Sequence, residues 1–126
     1  MKTNPIFTGI LDEAHAAGIE AAARCVPSPV AFVAADLYGN PLPGAVPEVV
    51  NDGVCGFAWI HIKGNTAFGR WAKAQGYARK CVYSGLNISL REHTQSMARK
   101  EAYGRAAVDV LRRYGIDDAY MQSRID

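Results

Sequence analysis

Five side chains able to do chemistry or recognition stand at every second position of one short run: Cys55, Phe57, Trp59, His61 and Lys63. In an extended strand successive side chains alternate between faces, so these five share one side while Gly56, Ala58, Ile60 and Ile62 share the other. A thiol and an imidazole on one face invite a nucleophile and base reading. Six residues at about 3.3 Å each, however, separate Cys55 from His61 by roughly 20 Å, beyond any hydrogen bond. What remains is a row of flat rings ending in a cation, the arrangement by which sheet-based modules hold single-stranded bases or other flat ligands. The opposing expectation is a central strand covered on both sides, with Trp59 in the core and His61 bonded to a neighbour.

Other chemistry needs residues brought in from elsewhere. Asp36 lies inside an otherwise apolar run, where a carboxylate must be paired, hydrogen-bonded or near the strand end. Beside His61 at the mouth of a pocket it would make an acid–base couple, so Asp36 and His61 are the candidate catalytic pair, with Tyr38 as a third participant. Cys81 with His93 or His15 is a further thiol–imidazole combination, set against an inert buried thiol. Cys25, Cys55, Cys81, His15, His61 and His93 show no paired metal-binding spacing, so neither a metal site nor a cofactor is expected.

The elements that must position these groups follow from local signals. Asn4 can cap a first helix with Pro5 at its first position, and apolar residues recur at Ile10, Ala14, Ala17 and Ala21 to about Arg24. Pro27 and Pro29 stop it and lead into VAFVAADLYG, which reads as a largely buried strand ending at Gly39-Asn40. Residues 40–53 hold three prolines and two glycines, the composition of a surface loop, with a short edge strand at Val49 and Val50. Asp52-Gly53 would turn those valines into a hairpin with strand 54–63. Thr66 can cap a helix over Ala67–Gln75 carrying Phe68, Trp71 and Ala72 on one face. A third strand is expected over Val82–Leu90. The last helix starts near Thr94 or Ser96, buries Tyr103, Ala107, Val110, Leu111 and Tyr114, and closes at Gly115. Its other face carries Glu101, Arg105, Asp109 and Arg113 four residues apart. The tail IDDAYMQSRID adds a brief edge strand. The whole is an α+β pattern of order α-β-β-α-β-α: a small, mostly antiparallel sheet of three or four strands with the first and last helices on one face and the Phe68/Trp71 helix flanking an edge.

With 126 residues, 49% of them hydrophobic, the chain has the size of one domain, 1–126, able to bury its own core. Its formal charge of +2 is small, so any polyanion-binding field must be local. Lys63, Arg70, Lys73, Arg79, Lys80, Arg91, Arg99 and Lys100 do cluster in the second half, opposed only by Glu92 and Glu101 between positions 55 and 105. Three widely spaced cysteines fit a reducing compartment rather than a disulfide framework. The acidic residues in MKTNPIFTGILDEAH interrupt the core a secretory signal needs, and no run reaches membrane-span length. A soluble cytoplasmic protein with no membrane partner is expected.

The last helix adds a second line of evidence. Its Arg99-Lys100-Glu101-Ala102, followed by Ala106-Ala107 and Leu111, is similar to the second helix of double-stranded RNA-binding domains, whose basic N-terminal run meets phosphates across the groove. That resemblance implies Arg99 and Lys100 as phosphate contacts. The chain departs from the pattern at Tyr103, where a third basic residue belongs, and in LREHTQ, which replaces a glycine-rich lead-in. Over its whole length, through AFVAADLYGNPLPG, GFAWIHIKGN, RKEAYGRA and the ending SRID, it resembles a family of small proteins encoded by tailed bacteriophages. The resemblance implies a small accessory protein expressed in the host cytoplasm and names no chemistry.

The expectation is therefore a non-catalytic binding module. With nucleic acid as partner, its surface would combine Trp59, His61 and Lys63 with Arg70, Lys73, Arg99 and Lys100. The alternatives are a small enzyme using Asp36, His61 and Tyr38, and a homo-oligomeric inhibitor of a host protein in which the same aromatics form the interface.

Overall fold

Asn4 starts the first helix as its chemistry dictates: Oδ1 accepts the N–H groups of Ile6 and Phe7 at 3.0 and 3.2 Å, and Pro5 opens α1, Pro5–Arg24. The computed structural model describes residues 4–50, 53–90 and 96–125. After α1 come β1 (Val30–Phe32), β2 (Glu48–Val50), β3 (Gly56–Ile62), α2 (Ala67–Ala74), β4 (Ala78–Lys80), β5 (Leu86–Ser89), α3 (Met97–Arg113) and β6 (Tyr120–Ile125). Four strands form one antiparallel sheet in the order β4-β5-β3-β6, and β1 and β2 pair separately. The fold is α+β, with its helices on one side of the larger sheet.

Period-two alternation decides which side. Ile60 and Ile62 of β3 are buried, as are Leu86 and Ile88 of β5, and they share one core with Tyr103, Ala107, Val110 and Leu111 of α3, while the buried Gly56 lies under Met97. Helix α3 lies on β3 and β6, and α1 runs antiparallel to it as a second layer. His15, Tyr103 and Gly18 make the tightest part of that helix pair. His15 Nδ1 hydrogen-bonds Tyr103 Oη, and a methyl at Gly18 would stand 2.8 Å from the Tyr103 ring. The short α2, capped by Thr66 Oγ1 accepting from Gly69 N–H at 2.9 Å, flanks the edge strand β4. There Phe68 and Trp71 pack against each other and against Phe7 of α1, edge-on for Phe68, and Trp71 also meets Tyr77.

Ser96 caps α3 through Arg99 N–H, while Thr94 lies outside the described residues. Gly115, at φ 87°, ends the helix with its N–H on Arg112 O and that of Ile116 on Leu111 O, the left-handed closure a glycine allows. Tyr114, expected in the core, is 52% exposed because it lies past the last helical turn. The tail pairs along β3 from Gly56–Ile125 to His61–Tyr120 and forms the sheet's other edge. Among the described residues, no helix is long and apolar enough to cross a membrane.

Three expectations are corrected. VAFVAADLYG is not a buried strand: only Val30–Phe32 forms a strand, Ala35 makes a single bridge to Pro41, and residues 31–44 are exposed throughout. Val49 and Val50 do not join strand 54–63; they pair with β1, Ala31 opposite Val49, so residues 40–50 supply one limb of a projecting hairpin arm rather than a plain loop, and Asn51 and Asp52 lie outside the described residues. The prolines that argue against a central strand are compatible with this edge position. Finally, Val82–Leu90 is not one strand. Residues 82–85 form a turn closed by Cys81 N–H on Gly85 O, with β4 before it and β5 after it. Gly85 at φ 72° makes that turn, and its lack of a side chain breaks the alternation of the expected strand.

Candidate nucleic-acid interface

The face of the large sheet opposite the helices is open. Along β3 it presents Phe57, Trp59 and His61, and strand register sets their neighbours. Phe57 faces Arg124 on β6. Trp59 lies between Ser89 and Gln122, and its indole N–H donates to Gln122 Oε1 at 2.8 Å. His61 lies between Asn87 and Tyr120, with Arg79 one strand further out on β4. Phe57 and Tyr120 are 43% and 41% exposed, and Trp59 and His61 are half-buried. The strand is therefore covered on one side only.

Its rings are held in place rather than left to rotate. Lys100 Nζ and Arg124 Cζ each stand 5.4 Å from the centre of the Phe57 ring, within cation–π range. The His61 ring lies 5.0 Å from that of Tyr120, and Nδ1 pairs with Asn87 Oδ1 at 2.9 Å. Since Oδ1 only accepts, Nδ1 is the donor in this bond. Nε2 points at the backbone of Gly85, where a methyl would come within 2.5 Å, so only glycine leaves this ring its place.

At the end of the sheet where β3 leaves and β6 enters, His61 and Tyr120 form the corner of a cleft of about 1020 Å³. Three turns border it, at 63–66, 84–86 and 115–118. Lys63, Lys73 and Lys80 bring ammonium groups to the cleft, and Asp117 and Asp118 bring carboxylates. Asp118 Oδ2 accepts the backbone N–H of Lys63 at 2.7 Å. Among the described residues, none of the three ammonium groups has an ion-pair or hydrogen-bond partner. Cys81 adjoins this cleft. The backbone N–H of Tyr83 above all, then those of Ser84 and Val82 and the Asn87 side chain, hold its thiol below the usual range.

The residues expected at a site thus divide. Trp59, His61, Lys63 and Lys73 come together on the open face and its cleft. Arg70 lies on α2 with Nη1 on Asn65 O at 2.7 Å. Arg99 and Lys100 serve the scaffold: Arg99 Nη1 donates to Ala22 O at 3.0 Å, joining the two long helices, and Lys100 Nζ donates to Gly56 O at 3.0 Å. Asp36 lies in the arm, where Oδ1 accepts the N–H groups of Tyr38 and Asn40 at 2.9 and 3.0 Å, and it does not line the cleft that holds His61. Its carboxylate therefore shapes a turn, and the arm carries Tyr38 exposed beside it. His15 is bonded to Tyr103 between the helices, and His93 lies outside the described residues. Among the described residues, no three His, Cys, Asp or Glu side chains gather as a metal site.

Sequence reasoning missed Tyr120, Gln122 and Arg124, and it counted Arg79 and Lys80 in the basic cluster without placing them at the interface. The first three alternate at period two in the tail and were legible as one strand face; the last two lie on β4, whose three residues are too few to carry a pattern. No family model, no curated protein and no solved structure matches the chain.

Proposed function

We propose that the protein is a non-catalytic module that binds single-stranded nucleic acid on the open face of its four-stranded sheet. The observation that carries this reading is the uncovered row Phe57, Trp59, His61, flanked by Tyr120 and edged by Arg79 and Arg124. Alternate residues on a strand repeat at about 6.6 Å, a spacing that suits successive bases of an extended single strand. Stacking is indifferent to base identity, so the module is expected to bind with little sequence preference, while the peripheral cations meet phosphates. The resemblance to tailed-bacteriophage proteins would put this activity in the cytoplasm of an infected cell.

Of the two tryptophans, Trp71 is buried in the aromatic cluster, and its Nε1 has no partner among the described residues, so Trp71→Phe is a mild change. In that background Trp59 is the sole indole reporter. Titration with an oligothymidylate should quench its emission, with affinity falling steeply as salt rises. Phe57→Ala should weaken binding by about tenfold, in line with roughly 1–3 kcal/mol per stacked base. Absent or salt-independent binding would sink the reading.

A second reading rests on a separate observation. The arm of residues 26–50 exposes Val26, Leu37, Tyr38 and Val46 at 84% or more, an apolar surface suited to a protein partner or a second copy. A mass on sizing columns that rises with concentration would support it, and a strict monomer would count against self-association.

A further inference from the structure

We infer that the cleft at the end of the sheet seats the terminal phosphate of a bound strand, with Lys63, Lys73 and Lys80 as its cationic contacts. This rests on the open face carrying the strand. The row Phe57, Trp59, His61 runs straight to that cleft, and the His61–Tyr120 pair stands at its lip, the last ring surface before the ammonium groups begin. A chain laid along the face therefore delivers its end, or its next phosphate, to the three lysines.

Charge distinguishes an end from an internal link. An internal phosphodiester carries one negative charge, whereas a phosphomonoester carries close to two at neutral pH because its second ionisation lies near pH 6. Three ammonium groups without partners among the described residues, against the two carboxylates of Asp117 and Asp118, leave the cleft cationic, and the added charge of a phosphomonoester gains more there than a diester does. Asp117 and Asp118, in the turn after α3, line the same cleft, and Asp118 is held there by the backbone N–H of Lys63. The volume of about 1020 Å³ accommodates a terminal nucleotide.

The experiment compares three oligothymidylates of one length, bearing a 5′-phosphate, a 3′-phosphate or hydroxyls at both ends, by Trp59 emission in the Trp71→Phe protein. One phosphorylated oligomer should bind about tenfold more tightly than the unphosphorylated one, a typical gain from charge-assisted contacts. The polarity of the strand decides which. Lys73→Ala with Lys80→Ala, both exposed positions, should erase that gain, so that phosphorylated and unphosphorylated oligomers bind the variant equally. Equal affinity for all three oligomers would overturn the terminal-phosphate assignment while leaving the open-face reading intact. A gain that survives the double substitution would overturn the lysine assignment. Failure of every oligomer to bind would overturn both.

Discussion

Single side chains here act through close approach as much as through charge. Gly18 admits the Tyr103 ring between the long helices, so Gly18→Ala should lower stability by about 1–3 kcal/mol in urea unfolding, the usual range for overpacking. Gly85 gives the parallel case at the site. Its φ of 72° and the His61 nitrogen over its α-carbon mean that Gly85→Ala should displace the ring and weaken oligonucleotide binding. Cys81 yields a pH prediction. Its thiol ionises below the usual range because backbone N–H groups, that of Tyr83 foremost, stabilise the thiolate. Iodoacetamide should therefore label it with a midpoint pH lower in the folded protein than after unfolding. The sign for stability follows: a depressed folded-state value stabilises fully above the unfolded thiol's midpoint, and that contribution fades as pH falls through the folded one. The chemistry of these residues was only partly legible. The Phe57-Trp59-His61-Lys63 face was readable because alternation is a local property. The settling of Asp36 into its own turn was hidden, because an aspartate that bonds the backbone two and four residues on looks in sequence like one awaiting a partner.

Elements succeed or fail by length. The three helices were readable from Asn4, Thr66 and Ser96 and from the apolar periods behind them, since a cap is a chemical event within four residues. Strands of three or four residues, such as β4 and β5, fall below what a period of two can announce, and their partners are chosen by packing on α3. The helix pair offers a test at this scale. Tyr114 Oη at the end of α3 donates to Glu13 Oε2 on α1, and that carboxylate raises the phenol's ionisation above its ordinary value. A raised folded-state value means that the contribution is whole below the unfolded phenol's midpoint and is lost as pH climbs through the folded one. Thermal unfolding between pH 9 and 11 should show a steeper alkaline loss in the native chain than in Tyr114→Phe. Identical pH profiles would mean that the contact is too exposed to matter.

At the scale of the molecule, charge separates by region. Arg99 and Lys100, the residues singled out by likeness to an RNA-binding helix, are engaged by Ala22 O and Gly56 O, while Arg79, Lys80 and Arg124 edge the ligand face or its cleft. Reversing Arg79 and Arg124 to glutamate should thus reduce oligonucleotide affinity more than removing the partnered Arg99, whose loss should act chiefly on stability. The converse ranking would move the interface to the helices. The projecting hairpin has its own consequence. Its two ends meet: a methyl at Gly53 would stand 2.9 Å from Ser28 O, beside the buried Pro27. Everything between could be exchanged for a short glycine-serine bridge without shifting any strand of the larger sheet, and unfolding of such a shortened chain should stay cooperative. The body is thus a scaffold with a ready-made splice point, where a peptide of another length or an entire guest domain can be carried without rewriting the rest of the chain.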